Sequence, residues 1–137
     1  MQAIWNDIYP YNDFYGVRLG IEGGDYVLQL QDSTGWAPAD GIASGGERSI
    51  ACLALRIAFS LILAPQLRWM VLDEPTHNLD TKAVEELGNV LREKVTNIVE
   101  QIFLITHDPA LESAVSGYLY RLDREKGKDG YTKITKI

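Results

Sequence analysis

Trp69-Met70-Val71-Leu72-Asp73-Glu74-Pro75-Thr76-His77-Asn78-Leu79-Asp80 decides the fold. Its first four residues are a continuous apolar run, the pattern of a short strand buried on both faces of a parallel sheet. Acidic residues can simply end a strand or cap the helix that follows, but Pro75-Thr76 and Leu79-Asp80 directly downstream favour a site. At the carboxyl edge of a parallel sheet, Asp73 is placed to hold a magnesium ion through water and Glu74 to reach an attacking water. Beyond Asp80, Val84, Leu87, Leu91 and Val95 form the apolar face of an amphipathic helix whose other side carries Lys82, Glu85, Glu86 and Arg92. Residues 102–105 are a second apolar run. Strand, helix, strand predicts two parallel strands joined by a right-handed crossover.

His107 follows the second strand and precedes Asp108-Pro109, which puts it at the same sheet edge as Asp73. A lone histidine there is ordinarily a structural hydrogen-bonder, and only its place in an ordered set makes it a site residue. Upstream lies Ser44-Gly45-Gly46-Glu47-Arg48. Ser44 and Glu47 fit a helix capping box, which by itself does not require two glycines. Gly45 and Gly46 let the backbone approach a ligand closely. Free amides, the helix dipole and a serine hydroxyl together suit the terminal phosphate of a nucleotide. The two assignments are compatible. Residues 50–64 are apolar nearly all round, predicting a helix buried on several sides.

The rest of the chain frames these motifs. Met1, Ile4, Trp5 and Ile8 recur at helical spacing before Pro10. Alternation from 14 to 33 around Gly23-Gly24-Asp25 predicts a β-hairpin, 32–41 a loop, and 118–123 with 131–137 a second hairpin. The chain has 137 residues, 46% of them apolar, and the size of one small domain. Residues 1–120 hold 7 basic and 16 acidic side chains and residues 121–137 hold 6 and 3, giving an acidic body and a mildly basic tail. Such a body does not attract duplex DNA over long range, so nucleic-acid contact requires local patches or a partner chain. Lys126, Lys128, Lys133 and Lys136 read as a solvated hairpin face. The single cysteine, Cys52, excludes an internal disulfide, suits a reducing intracellular compartment, and falls in an apolar helix as a buried core thiol. One Cys and two His make a structural zinc site unsuitable. No stretch has the pattern of a secretion signal or membrane span, so no membrane contact is expected.

The ordered set resembles the carboxyl-terminal half of an ABC-type ATPase. Ser44 to Arg48 matches the signature motif, Trp69 to Glu74 the Walker B strand, Asn78 to Asp80 the D-loop and Thr106-His107 the switch histidine. A GxxxxGK[ST] phosphate loop is absent from the 43 residues before Ser44, so the expected source of the loop is another chain. That split resembles the coiled-coil branch of the family, in which an antiparallel coiled coil separates the two halves of the head. Within it, Asp-Glu-Pro-Thr-x-x-Leu-Asp and Ser-Gly-Gly-Glu-Arg look most like the SMC-like ATPase of the DNA double-strand-break repair complex that works with a manganese-dependent nuclease. Cohesin and condensin type heads usually carry Ile-Asp after the Asp-Glu pair. One departure is Ala43, where the family commonly has Leu.

The resemblance implies an α/β lobe, a mainly parallel sheet flanked by helices with antiparallel hairpins, completed by an amino-terminal half on another chain. Residues 1–9 would be the stub of the coiled-coil helix and 10–137 the carboxyl-terminal half of the ATPase domain. It also implies ATP and Mg2+ as cofactors, and an ATP-dependent dimer of heads in which the phosphate loop of one head and the signature motif of the other hold each nucleotide. Partners implied are the amino-terminal half, a second head, the nuclease and DNA. By residue, the signature stretch Ser44, Gly45, Gly46 and Glu47 together with Asp80 would bind nucleotide, Asp73 would position magnesium, Glu74 would polarise water, and His107 would contact the γ-phosphate. Arg48 and Arg56 are either relays of nucleotide state or ordinary salt-bridge residues. Two other classes remain open: a fragment of a transporter-type ATPase, and a structural or regulatory module without turnover. Intact Glu74 and His107 argue against the module, and the coil-like start argues against the transporter.

Overall fold

The computed structural model describes residues 1–137 except 98, 115, 126 and 128. The predicted contribution of Lys126 and Lys128 to the tail hairpin therefore lies outside the described residues, whereas Lys133 and Lys136 are exposed as expected.

The chain opens with helix α1 (Gln2–Ile8), which buries Trp5 and Ile8 and ends where Tyr9 turns extended ahead of Pro10. Strands β1 (Gly16–Glu22) and β2 (Asp25–Asp32) form the predicted antiparallel hairpin, in register from Gly16↔Gln31 to Glu22↔Asp25. Its two-residue turn has positive φ at both Gly23 and Gly24, the geometry that hairpin twist demands and glycine permits. The expected loop after it contains more order than predicted. Asp32 Oδ1 accepts hydrogen bonds from Thr34 N, Thr34 Oγ1 and Gly35 N, closing a turn into a third antiparallel strand, β3 (Gly35–Pro38). A single helical turn, α2 (Ala39–Ile42), then leads to Ser44.

Helix α3 (Gly45–Leu63) buries Ile50, Ala51, Leu53, Ala54, Ile57 and Ala58. Two expectations for it are corrected. Its last turn is uncovered, with Ile62 and Leu63 69% and 72% exposed, and Cys52 is an exposed thiol rather than a core one.

Strands β4 (Trp69–Asp73) and β5 (Gln101–Ile105) pair in parallel, from Trp69↔Gln101 to Asp73↔Ile105, with helix α4 (Thr81–Glu93) crossing between them. Val84, Leu87, Leu91 and Val95 are all buried, as the periodicity predicts. The strands are covered on one face only. Met70 and Leu72 are buried, whereas Trp69, Val71, Phe103 and Ile105 on the other face are 44–54% exposed. The tail forms the antiparallel pair β6 (Tyr120–Asp123) and β7 (Lys133–Lys136), exposed along its length.

The fold is thus mixed α/β, but parallel pairing among the described residues is confined to β4–β5, with β1–β3 and β6–β7 antiparallel, so this chain does not itself build a mainly parallel sheet. One main core joins α1, the first sheet, α3, β4 and α4 through Trp5, Ile8, Leu30, Ile57, Leu72 and Leu87. Each of these large side chains contributes roughly 1.5–3 kcal/mol by leaving water. Ala43 packs against this core despite its small size.

Candidate functional site

The carboxyl ends of β4 and β5 bring Glu74 and His107 together. Glu74 N donates to Ile105 O at 2.8 Å, continuing the parallel ladder one residue past β4. The residue then enters the left-handed region at φ 45°, a strained choice for a non-glycine residue and one that marks functional turns. His107 Nδ1 lies 2.9 Å from Glu74 Oε2, while the rest of the imidazole is open to solvent, the side chain being 85% exposed. The close contact with the Glu74 carboxylate and its negative charge raise the His107 pKa above the ordinary histidine value of 6.5. The pair consequently contributes to stability below that ordinary value, and the contribution is lost as pH rises through the raised one. Titration of the His107 ring protons by NMR is expected to give a midpoint above 6.5, moving down in Glu74→Gln; an unchanged midpoint in that variant would show that the pair does not form in solution.

Around this pair runs the turn 74–80. His77 N donates to Glu74 O and Leu79 N to Thr76 O, and Asn78 takes φ 65°, which Asn tolerates better than most residues. Thr76, His77 and Asn78 face His107, Asp108 and Pro109 across an open cleft of about 370 Å³. The β5 side of the cleft is shaped by Thr106 Oγ1, which accepts from Asp108 N.

A second, smaller cleft of about 60 Å³ is lined by Leu79 and Asp80 of the same turn together with Ser44, Gly46, Glu47 and also Tyr11. The capping box predicted for Ser44 and Glu47 is formed: Glu47 N donates to Ser44 Oγ at 3.4 Å and Ser44 N to Glu47 Oε2 at 2.6 Å. Glu47 thus holds the turn, while the amides of Gly45 and Gly46 begin α3 without an acceptor one turn back. Gly46 has a further reason to be glycine, since a Cβ there would come within 2.9 Å of the Asn78 carbonyl oxygen. A Cβ on Gly45 would meet nothing.

Asp80 is the N-cap of α4. Its Oδ1 accepts from Ala83 N at 2.9 Å and its Oδ2 from the Tyr11 hydroxyl. These bonds, Tyr11 first, hold the Asp80 pKa below the usual carboxylate value. Nothing local in the sequence marks Tyr11 for this position, because the contact spans 69 residues. Arg48 pairs with Asp40 at 3.3 Å in an exposed bridge, the kind that adds little stability; Arg56 is exposed on α3.

Asp73 ends β4 with an exposed side chain. No group of three or more His, Cys, Asp or Glu placed to hold a metal occurs among the described residues. One carboxylate is nevertheless a donor set that suits Mg2+, which keeps several waters and binds through one or two carboxylates plus substrate phosphates. Asp73, a single exposed carboxylate, fits that donor set and is not part of a closed protein cage.

Comparison with known proteins gives a consistent family. Residues 5–113 match the family model described as AAA domain, putative AbiEii toxin, Type IV TA system. The DNA double-strand break repair Rad50 ATPase of Sulfolobus acidocaldarius is 44% identical over 82 residues, covering 60% of this chain and 9% of that protein. The protein of the same name from Methanopyrus kandleri is 34% identical over 119 residues, covering 85% of this chain and 13% of its own length. The chain therefore spans about a tenth of the length of these curated relatives. Among solved structures, an SMC ATPase described for ATP-driven dimerization and DNA-stimulated activation superposes with a TM-score of 0.76 at 18% identity, covering 99% of this chain and 80% of that one. No helix among the described residues is long and apolar enough to cross a membrane.

Proposed function

Since the chain belongs to the AAA domain family and is a homologue of the Rad50 ATPases, we propose that it is the carboxyl-terminal half of an ATPase head that dimerises on ATP and acts in DNA double-strand-break repair. The observation that carries this proposal is the Glu74–His107 pair at the carboxyl ends of two parallel strands. Such an edge is where α/β sheets bind ligands.

In this proposal the reaction is ATP plus water to ADP plus phosphate: a water oxygen bonds to the γ-phosphorus as the bond to the bridging oxygen breaks. Glu74 takes the proton of the attacking water, and His107, anchored through Nδ1 on Glu74, presents its solvent-facing edge to the γ-phosphate oxygens. Asp73 would hold Mg2+, which when bound neutralises phosphate charge. Ser44, Gly45 and Gly46 address a different nucleotide, the one bound to the opposite head. That division is supported by the linings of the two clefts: Ser44, Gly46, Leu79 and Asp80 line one, and Thr76, His77, Asn78 and His107 the other.

The half-site character is supported by one further feature: β4–β5 leaves Trp69, Val71, Phe103 and Ile105 uncovered. An apolar face of this kind calls for a covering element, and we assign it to the amino-terminal half of the head. Residues 1–9 would be the end of the returning coiled coil and 10–137 the lobe proper. DNA and a manganese-dependent nuclease are the proposed partners of the assembled protein.

ATP hydrolysis measured on this chain alone, and after co-expression with an amino-terminal half bearing the phosphate loop, tests the proposal. Activity is expected only in the mixture, with a cooperative dependence on head concentration. Hydrolysis by the chain alone would overturn the half-site assignment, and silence in both preparations would overturn the enzymatic one.

A further inference from the structure

The route from α1 to the signature cleft is continuous and built from aromatic side chains. Trp5, 1% exposed, stacks on Tyr9 with ring centroids 4.2 Å apart and planes inclined by 17°. Tyr9 meets Tyr11 edge-on at 5.6 Å. Tyr11 in turn lines the cleft that holds Ser44 and Gly46 and donates its hydroxyl to Asp80 Oδ2. Helix α4 is gripped at both ends by the same segment. At its start, Lys82 Nζ donates to Pro10 O at 3.0 Å and sits 5.0 Å from the centre of the Tyr11 ring; just past its end, Lys94 pairs with Asp7 of α1. A tilt of α1 therefore cannot leave the N-cap of α4 where it was.

We propose that Tyr11 is a positioning residue for the ATPase, fixing Asp80 against the signature turn and carrying the position of α1 into the cleft shared by Ser44, Gly46 and Asp80. The proposal rests on the ATPase reading above. Two bonds define where the Asp80 carboxylate points. The Ala83 amide fixes one oxygen as a helix cap would in any protein, and the Tyr11 hydroxyl fixes the other. Only the second comes from outside α4, so only the second reports on α1. Asn78, two residues before Asp80, lines the other cleft, and its carbonyl lies where a Gly46 Cβ would be, so one short turn meets both clefts.

Tyr11→Phe is the variant of choice, since it keeps the ring against Tyr9 and Lys82 and removes only the hydroxyl. In heads containing both halves, we expect unchanged nucleotide affinity of the isolated head, a Tm loss smaller than that of Tyr11→Ala, and ATP-driven head association and kcat lowered by roughly tenfold to a hundredfold, the size of a lost hydrogen bond to a charged group. In an Asp80→Asn background the same change is expected to add nothing. Wild-type kcat and association in Tyr11→Phe, with Asp80→Asn impaired, would overturn the role of Tyr11 and leave the ATPase assignment standing. A Tm loss in Tyr11→Phe as large as that in Tyr11→Ala would reduce Tyr11 to a packing residue and overturn it as well. Absence of ATP hydrolysis in the wild-type two-half head would remove the ATPase reading itself, and the proposal would fall with it.

Discussion

Glu74→Gln in the two-half head is expected to bind ATP with near-normal affinity and to hydrolyse it roughly 10² to 10⁴ times more slowly, the range that general-base catalysis contributes. The substitution is conservative in shape, so the left-handed turn at φ 45° and its bond to Ile105 O have no reason to change. Two properties change. An amide cannot take a proton from water, and it offers His107 Nδ1 a neutral partner in place of a charged one. Both consequences act on turnover rather than on nucleotide affinity, because neither group belongs to the phosphate loop. Binding measured by equilibrium titration and hydrolysis measured in a single turnover separate the two. A head with intact turnover would remove Glu74 from the reaction, and a head that no longer binds ATP would show that the carboxylate maintains the fold of the edge.

The elements that carry these residues were legible because their signals are local. A run of apolar residues ending at Asp73, a helix with Val84, Leu87, Leu91 and Val95 on one side, and a second run before His107 leave few arrangements other than two parallel strands with a crossover. The Ser44 capping box was legible for the same reason, all its atoms lying within four residues. What escaped is equally explicable. Strand β3 is four residues long and ends in proline, so composition marks it as loop, and only pairing with β2 makes it a strand. Cys52 and the last turn of α3 have the apolar neighbours of a buried helix yet lie exposed. The same holds for Trp69, Val71, Phe103 and Ile105, whose apolar character predicts burial but whose face of the strands is uncovered. Tyr11 was invisible for the opposite reason: its partner, Asp80, is distant in sequence, and no local period connects them.

Gly46→Ala is expected to damage head association far more than Gly45→Ala damages the fold of the same turn. Both glycines begin α3, where alanine is a better helix former, so intrinsic propensity predicts a small gain at either position. Space decides otherwise at one of them. The methyl group at position 46 would meet the backbone oxygen of Asn78 at 2.9 Å, and a carbonyl in a hydrogen-bonded turn cannot rotate aside as a flexible side chain can. The turn from 76 to 79 or the start of α3 must move, at a cost of about 1–3 kcal/mol, as for other overpacked contacts. Gly46 lines one cleft and Asn78 the other, so movement on either side alters a cleft. A several-fold to hundredfold weaker ATP-driven association of heads follows if that cost falls on the closed state. Denaturation midpoints for both variants, set beside sedimentation with and without ATP, provide the check. Equal behaviour of the two alanine variants would mean that the Gly46–Asn78 contact is not what holds the start of α3 to the turn 76–79. If Gly46→Ala lost stability but associated normally, the Gly46–Asn78 contact would serve the fold of the turn and not the association of heads.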